Sequence, residues 1–217
     1  DSLFIASIGG PAAYDSVLDL TSIFYRGTAL LGGIEGEIRV WVMLPDNYLL
    51  EFKSPAISIT RGFDGRIAWE KDQNGRVFEL SGFERELIEK SVYFESFSYL
   101  VPGRNKGSRE YLGVENVGDR TYHVVRLVPS EQDTSLSFFD DSTGLCEVTQ
   151  SLLDHELVTT TLADYRSVSG ILMPFLIRDT IDGMPGSSLV LLEQADINLT
   201  IDPIIFGKPE QALRDFR

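Results

Sequence analysis

The stretch EIRVWVML (Glu37–Leu44) alternates, and every second residue from its second position onward is apolar, which is typical of a β-strand with one buried face. A turn at PDN (Pro45–Asn47) follows, and Leu50 and Phe52 then lie on one face of the next alternating segment. Consecutive strands joined by a short turn run antiparallel. This part of the chain therefore predicts an antiparallel sheet with one apolar face.

Further alternating segments follow as far as residue 199, separated by residues that favour turns. Asn74-Gly75 lies between IAWE (Ile67–Glu70) and RVFEL (Arg76–Leu80), which predicts a tight hairpin with both turn residues at positive φ. The sequence as a whole predicts a mostly β (α+β) fold built on a meandering antiparallel sheet. The later strands are expected at residues 110–117, 122–128, 134–139, 145–152, 156–166, 171–181 and 188–199.

Three helices are predicted among the strands. Two short helices are expected within residues 1–18, divided by a Gly-Gly pair, with a proline in the first turn of the second helix. The third helix is expected at residues 82–96, where Ser81 and Glu84 have the spacing of a capping box. The rest of the chain is assigned to strands, and residues 1–217 are expected to form one domain.

The third helix carries an apolar stripe. Phe83, Leu87 and Phe94 recur at helical spacing, and Ile88 lies at the edge of the stripe. The stripe predicts that this helix packs against the sheet. The acidic residues of the segment are expected to face elsewhere: Glu84, Glu86, Glu89 and Glu95.

Charge and composition exclude several classes of function. The chain has 33 acidic and 19 basic residues and a net charge of −14, which disfavours binding to nucleic acid or to an anionic membrane surface. No segment approaches the roughly 20 apolar residues that span a bilayer, so no stable membrane insertion is expected. Cys146 is the only cysteine, so no disulfide forms within the chain.

No catalytic, metal or cofactor site is predicted. His123 lies on a predicted strand without a recognisable nucleophile, and His155 is expected in a hairpin connection where alternation separates it from Asp154 and Glu156. The acidic turn at residues 140–144 lacks the alternating carboxylates of an EF-hand loop. Paired carboxylates for glycoside hydrolysis remain open, because 33 acidic residues always offer pairs.

Large side chains also lie on the face opposite the apolar one. Trp41, Met43 and Leu49 occupy positions that an open sheet usually leaves polar. Two interpretations stay open. The sheet is either packed on both faces with a solid core, or it is curved around an apolar cavity that the third helix roofs.

The order of these elements resembles the LolA/LolB-like family of bacterial periplasmic lipoprotein carriers, including lipoprotein-sorting-like proteins. The stretches that carry the resemblance are FDGRIAW (Phe63–Trp69), DDSTGL (Asp140–Leu145), DYRSVSGILMP (Asp164–Pro174) and the segment Asn198–Pro209 with its Phe206. The resemblance implies an open antiparallel half-barrel of about ten to twelve strands with a helical lid on its concave side. It also implies an arginine that latches the lid, for which Arg39, Arg61, Arg126 and Arg166 are all eligible.

The function expected from this resemblance is that of a non-enzymatic periplasmic carrier or sensor in a Gram-negative bacterium, with the export signal absent from this chain. Its partners would be lipoprotein or lipid acyl chains and a membrane-bound donor or acceptor protein. The alternative is a ligand-free interaction or accessory domain of a larger exported protein. The residues expected to line the apolar cavity are Val40, Val42, Leu50, Phe52, Phe83, Leu87, Phe94, Leu136 and Phe138.

Overall fold

The computed structural model describes residues 2–101, 103–104, 106–130, 133–153, 155–184 and 186–210. Within this part of the chain the helices are α1 (Ser2–Ser7), α2 (Pro11–Leu18) and α3 (Phe83–Glu95), and a short 3-10 helix spans Pro203–Phe206. None of these helices is long and apolar enough to cross a membrane.

All thirteen strands of the described residues belong to one antiparallel sheet, slightly more than the ten to twelve expected. The strands are β1 (Ser22–Leu31), β2 (Ile34–Met43), β3 (Asn47–Lys53), β4 (Ser58–Asp64), β5 (Ala68–Lys71), β6 (Val77–Glu79), β7 (Ser108–Val117), β8 (Arg120–Ser130), β9 (Asp133–Asp140), β10 (Cys146–Leu153), β11 (Glu156–Val168), β12 (Ile171–Ile181) and β13 (Ser187–Ile197). The other predicted strands are confirmed to within a few residues, whereas the sequence analysis gave no boundaries for β1 and did not separate β4 from β3.

The sheet consists of two meanders that meet in its middle. Its strand order is β6-β5-β4-β3-β2-β1-β13-β12-β11-β10-β9-β8-β7, so β1 pairs with β13 and the two edges are β6 and β7. The edge strands follow one another in the chain, and α3 lies in the connection between them. The helix therefore crosses from one edge of the open sheet to the other, which confirms the predicted half-barrel with a helix on one face.

The hairpin between β5 and β6 forms with a different turn from the one expected. Lys71 pairs with Val77, so the loop has five residues, and Gly75 is its only residue with positive φ. The Asp72 carboxylate accepts hydrogen bonds from the backbone N–H of Asn74 at 2.8 Å and of Arg76 at 2.9 Å. This side-chain turn stabilises a longer loop, because an aspartate can satisfy the backbone donors that a two-residue turn would pair directly.

Helix α3 begins one residue later than the capping-box pattern indicates. Its N-cap is Gly82, with φ of 54°, and no side chain caps the first turn, so the predicted role of Ser81 is wrong. Glu84 and Glu86 lie in that first turn, where their negative charges interact favourably with the positive end of the helix dipole and stabilise the helix. The helix otherwise occupies the predicted segment.

Both faces of the sheet are covered, each by a different part of the chain. The main core includes residues of α1, α2 and α3 together with one face of the strands. On the opposite face, Leu49, Trp69 and Phe206 form a second buried cluster, against which Trp41 and Met43 pack. The indole N–H of Trp69 donates to the carbonyl of Phe206 at 2.8 Å. The large side chains on this face are therefore covered by the segment around the 3-10 helix.

Candidate ligand site between the helices and the sheet

The sheet side of the candidate site is built from β2 and β3. Val40, Val42 and Phe52 are buried in the main core, and Leu50 is half-buried against it. Val40 pairs with Leu50 and Ile38 with Phe52, so the alternation of two adjacent strands aligns these side chains on one face. Four of the predicted cavity residues are therefore neighbours on the surface that faces the helices.

Helix α3 turns a different stripe towards this surface from the predicted one. Its buried side chains are Ile88, Val92 and Tyr93, whereas Phe83 is 48% exposed. Leu87 is half-buried, and Phe94 packs on the core from the side. At about 100° per residue, the centre of the buried stripe lies about 170° around the helix from the centre of the predicted stripe, so nearly the opposite face packs on the sheet.

The predicted position of two residues of β9 is wrong. Leu136 and Phe138 belong to a small cluster with Tyr122 and Val124, apart from the main core, whereas Phe139 lies in that core. Strand alternation then places the buried Ser135 and Ser137 on the same face as Phe139. Both faces of β9 are buried, and the more apolar one faces away from the helices.

Glu95 is a polar group inside the contact between α3 and the sheet, contrary to the prediction that it faces away. Its carboxylate accepts a hydrogen bond from the Tyr25 hydroxyl at 2.6 Å. Burial raises the pKa of Glu95 to about 7, and the Tyr25 hydrogen bond partly offsets that rise. Burial raises the pKa of the Tyr48 and Tyr99 hydroxyls, and the nearby charge of Glu95 adds to the rise in both.

Arg104, which the sequence analysis did not name, contacts the ends of two helices. Arg104 donates to the carbonyl of Ser96, which is the C-cap of α3, at 2.9 Å and to the carbonyl of Val17 in α2 at 2.7 Å. One guanidinium therefore satisfies carbonyls at the C-terminal ends of two helices. The four named arginines pair instead with acidic residues: Arg39 with Glu37, Arg61 with Glu70, Arg126 with Glu110, and Arg166 with Asp164.

Two cavities flank the helices. The first, of about 850 Å³, lies between α1 and the β7–β8 hairpin and is lined by Phe4, Val125 and the turn at residues 140–144. The second, of about 690 Å³, lies beside α3, where Lys90 forms an ion pair with Asp133 at 2.9 Å. Both volumes lie in the range of small-molecule sites.

The sequence analysis expected His123 to be isolated on its strand, but the structure gives it two hydrogen-bond partners. Its Nδ1 is 2.9 Å from the Tyr111 hydroxyl, and its Nε2 is 2.8 Å from the Asp141 carboxylate. All three side chains line the first cavity. His155 lies in the turn between β10 and β11 with φ of 70°, and the Asp154 of the predicted alternation is outside the described residues.

The acidic turn after β9 is organised by its own hydrogen bonds. The Asp140 carboxylate accepts from the backbone N–H and hydroxyl groups of Ser142 and Thr143, at distances from 2.5 to 3.1 Å. These bonds hold the pKa of Asp140 below its usual value. Among the described residues, no group of three His, Cys, Asp or Glu side chains has the arrangement of a metal site.

Comparison with solved structures identifies this architecture. A DUF1329 family protein from Desulfovibrio piger matches with a TM-score of 0.63 and 11% identity, covering 95% of both chains. A LolA superfamily protein from Nitrosomonas europaea matches with a TM-score of 0.58 and 16% identity, covering 90% of this chain and 97% of the other. The chain has a LolA-like fold.

A third structure agrees with this assignment. A putative outer membrane lipoprotein-sorting protein domain from Vibrio parahaemolyticus matches the LolA-like fold of this chain with a TM-score of 0.63 and 10% identity, covering 94% of this chain and 95% of the other. No protein-family model and no curated protein sequence matches the chain. At these identities the likeness is one of fold.

Proposed function

We propose that this protein is a non-enzymatic carrier or sensor that binds the acyl chains of a lipoprotein, or another apolar ligand, in the periplasm of a Gram-negative bacterium. The observation that carries the proposal is the apolar face of an open sheet that is covered by three short helices rather than by a second sheet. The LolA-like fold and the lipoprotein-sorting neighbour support it. Exchange of cargo with a membrane-bound donor or acceptor protein, and one domain over residues 1–217, belong to the same proposal.

The ligand surface proposed here is the sheet face under α3 and the helix side chains at its border. It contains Val40, Val42, Leu50 and Phe52 from the sheet, together with Phe94. Phe83 and Leu87 would contact an acyl chain at the rim, whereas Leu136 and Phe138 are left out because they lie on the other face.

Movement of α3 is part of the proposed binding step. Val40 and Val42 are fully buried, so an acyl chain reaches them only after the helix shifts. Each buried CH₂ contributes about 0.8 kcal/mol, so a chain of about ten such groups could offset the cost of displacing a short helix. The acidic protein would have little affinity for anionic bilayers, which suits a shuttle between membranes.

A pair of matched variants tests this proposal. Val42→Phe fills the proposed ligand surface, and Val124→Phe makes the same change at an equally buried position on the other face. Each change should destabilise the fold by about 1–3 kcal/mol through overpacking. Only Val42→Phe should also weaken uptake of the apolar dye diphenylhexatriene, followed by its fluorescence.

Native mass spectrometry of mildly purified protein gives an independent measurement. The proposal expects co-purified lipid in the wild type and less of it in Val42→Phe. A wild type that takes up no dye and carries no lipid would contradict the proposal. The dense packing around Val40 and Val42 would then favour the alternative, a ligand-free interaction or accessory domain of a larger exported protein.

A further inference from the structure

The cavity between α1 and the β7–β8 hairpin has an apolar floor and a polar rim. Phe4 of α1 and Val125 of β8, both buried in the main core, form the floor, and Leu3 and Ala6 of α1 also line the cavity. The rim is formed by three hydrogen-bonded side chains and by the turn at residues 140–144. A cavity of this kind suits an amphiphile, because one end is apolar and the other end is polar.

The direction of the hydrogen bonds on the rim follows from the chemistry of the three groups. An ionised carboxylate only accepts, so the Nε2–H of a neutral His123 donates to Asp141. The Nδ1 of this tautomer carries no hydrogen, and it accepts from the hydroxyl of Tyr111. With its hydrogen committed, the Tyr111 oxygen presents only lone pairs to the cavity. The chain of three residues therefore makes Tyr111 a hydrogen-bond acceptor.

The charge of the rim points in the same direction. Asp140 stays ionised because Ser142 and Thr143 hold its carboxylate, and the neighbouring Asp141 is half-exposed on the rim. Arg109 donates to the carbonyl of Tyr99 at 2.7 Å, and its guanidinium lies 4.8 Å from the Phe4 ring centroid. Arg109 also lines the cavity, and its charge lies beside the Phe4 ring at the floor. An anionic head group at the rim would meet the exposed Asp141 carboxylate, whereas hydroxyl groups there would find acceptors.

We propose that this cavity binds the head group of an uncharged amphiphile rich in hydrogen-bond donors, such as the glycerol hydroxyls of a monoacylglycerol. The hydroxyls donate to Tyr111 and Asp141, and the acyl chain runs over Phe4 and Val125 towards the face of the sheet under the helices. This inference rests on the proposed acyl-chain carrier function and adds selectivity for the head group.

Competition against bound diphenylhexatriene measures that selectivity, because the dye has no polar head. Monooleoylglycerol and oleate carry the same chain and are compared below the concentrations at which they form micelles. One or two hydrogen bonds and the absence of charge repulsion should favour monooleoylglycerol about tenfold. Tyr111→Phe should reduce that preference about three- to tenfold and leave dye affinity unchanged. Tyr122→Phe removes a hydroxyl that donates to Glu147, away from the cavity and in the small cluster with Val124 and Phe138, and it should change neither value.

Each result decides between the two proposals. If the dye binds but oleate competes as well as monooleoylglycerol, or Tyr111→Phe has no effect, the head-group inference is overturned and the carrier function stands. If no dye binds, native mass spectrometry with monooleoylglycerol replaces the competition. Absence of that complex overturns both proposals, whereas a complex that Tyr111→Phe weakens supports the head-group site.

Discussion

At the scale of single residues, Glu95 couples the contact between α3 and the sheet to pH. Its carboxyl group accepts a hydrogen bond from the hydroxyl of Tyr25 in β1. It also lies close to Tyr48 in β3 and to Tyr99 in the segment after α3. Because burial raises its pKa from an ordinary 4.5 to about 7, the folded state holds this proton more tightly than the unfolded chain does. The stabilising effect of the protonated form is complete below about pH 4.5 and is lost as pH rises through about 7.

Urea unfolding at pH 5 and pH 8 measures this dependence. Because Glu95 ionises over that interval, we expect the unfolding free energy of the wild type to fall by on the order of 2–3 kcal/mol. Glu95→Gln keeps the hydrogen bond with Tyr25 but cannot ionise, so its stability should change less over the same interval. Equal pH dependence in the two proteins would show that Glu95 is not the group responsible.

His123 shows what the sequence could not reveal at this scale. Tyr111 pairs with Val125 and Val114 with His123, because a register shift between Tyr111 and Gly113 inserts one extra residue into β7. Gly113 has φ of 120°, which favours glycine at this bulge. Without the bulge, alternation would place Leu112 beside His123 on this face. The partner of the histidine therefore depended on a one-residue irregularity that periodicity does not predict.

At the scale of secondary-structure elements, α3 contacts the sheet through a different face from the one that its apolar spacing predicts. The helix has apolar residues around more than half of its circumference, and Ile88 and Val92 face the sheet while Phe83 faces solvent. Amphipathic spacing therefore located the helix but did not fix its rotation. Turn residues located the strands more accurately, because Gly, Pro, Asn and Asp interrupt the chain at nearly every hairpin.

Alanine variants distinguish the two faces of α3. Ile88→Ala should cost about 2–5 kcal/mol of unfolding free energy, because it removes a buried side chain from the main core. Phe83→Ala removes a larger side chain that is 48% exposed, and we expect it to cost less than about 1 kcal/mol. Thermal or urea unfolding measures both. A larger loss for Phe83→Ala would mean that the helix packs through the stripe predicted from sequence.

The 3-10 helix allows a second comparison between neighbouring residues. Phe206 is fully buried against Trp69, whereas Ile204 in the same turn is 76% exposed. Phe206→Ala should destabilise the protein by about 3–5 kcal/mol and shift tryptophan emission to longer wavelength as Trp69 meets water. Ile204→Ala should leave both stability and emission nearly unchanged. A wild-type emission maximum in Phe206→Ala would contradict the burial of Trp69 by Phe206.

The contact of the 3-10 helix with the cluster of Leu49 and Trp69 could not be predicted from local sequence patterns. Trp69 and Phe206 are 137 positions apart in the chain, and no local pattern connects them. The sequence did indicate that Trp41, Met43 and Leu49 needed an explanation on a face expected to be polar. Of the two interpretations that were left open, the structure supports packing on both faces of the sheet, and the cavities beside the helices have mixed polar and apolar linings.

At the scale of the whole molecule, the two edges of the sheet differ. β6 has three residues, whereas β7 has ten and exposes apolar side chains that include Tyr111, Val114 and Val117. A long edge strand with apolar side chains is a template for pairing with another chain. The net charge of −14 opposes such contacts between copies at neutral pH, so the acidic composition protects this edge.

This protection should fail near the isoelectric point of about 4.5. We expect self-association to increase as pH approaches that value, measured by light scattering and sedimentation velocity. Val114→Lys places a charge on the edge strand and should reduce association at the pH where the wild type associates most. Ile204→Lys adds the same charge at an exposed site on the 3-10 helix. If both variants shift association equally, only net charge matters; a larger effect of Val114→Lys assigns the contact to β7.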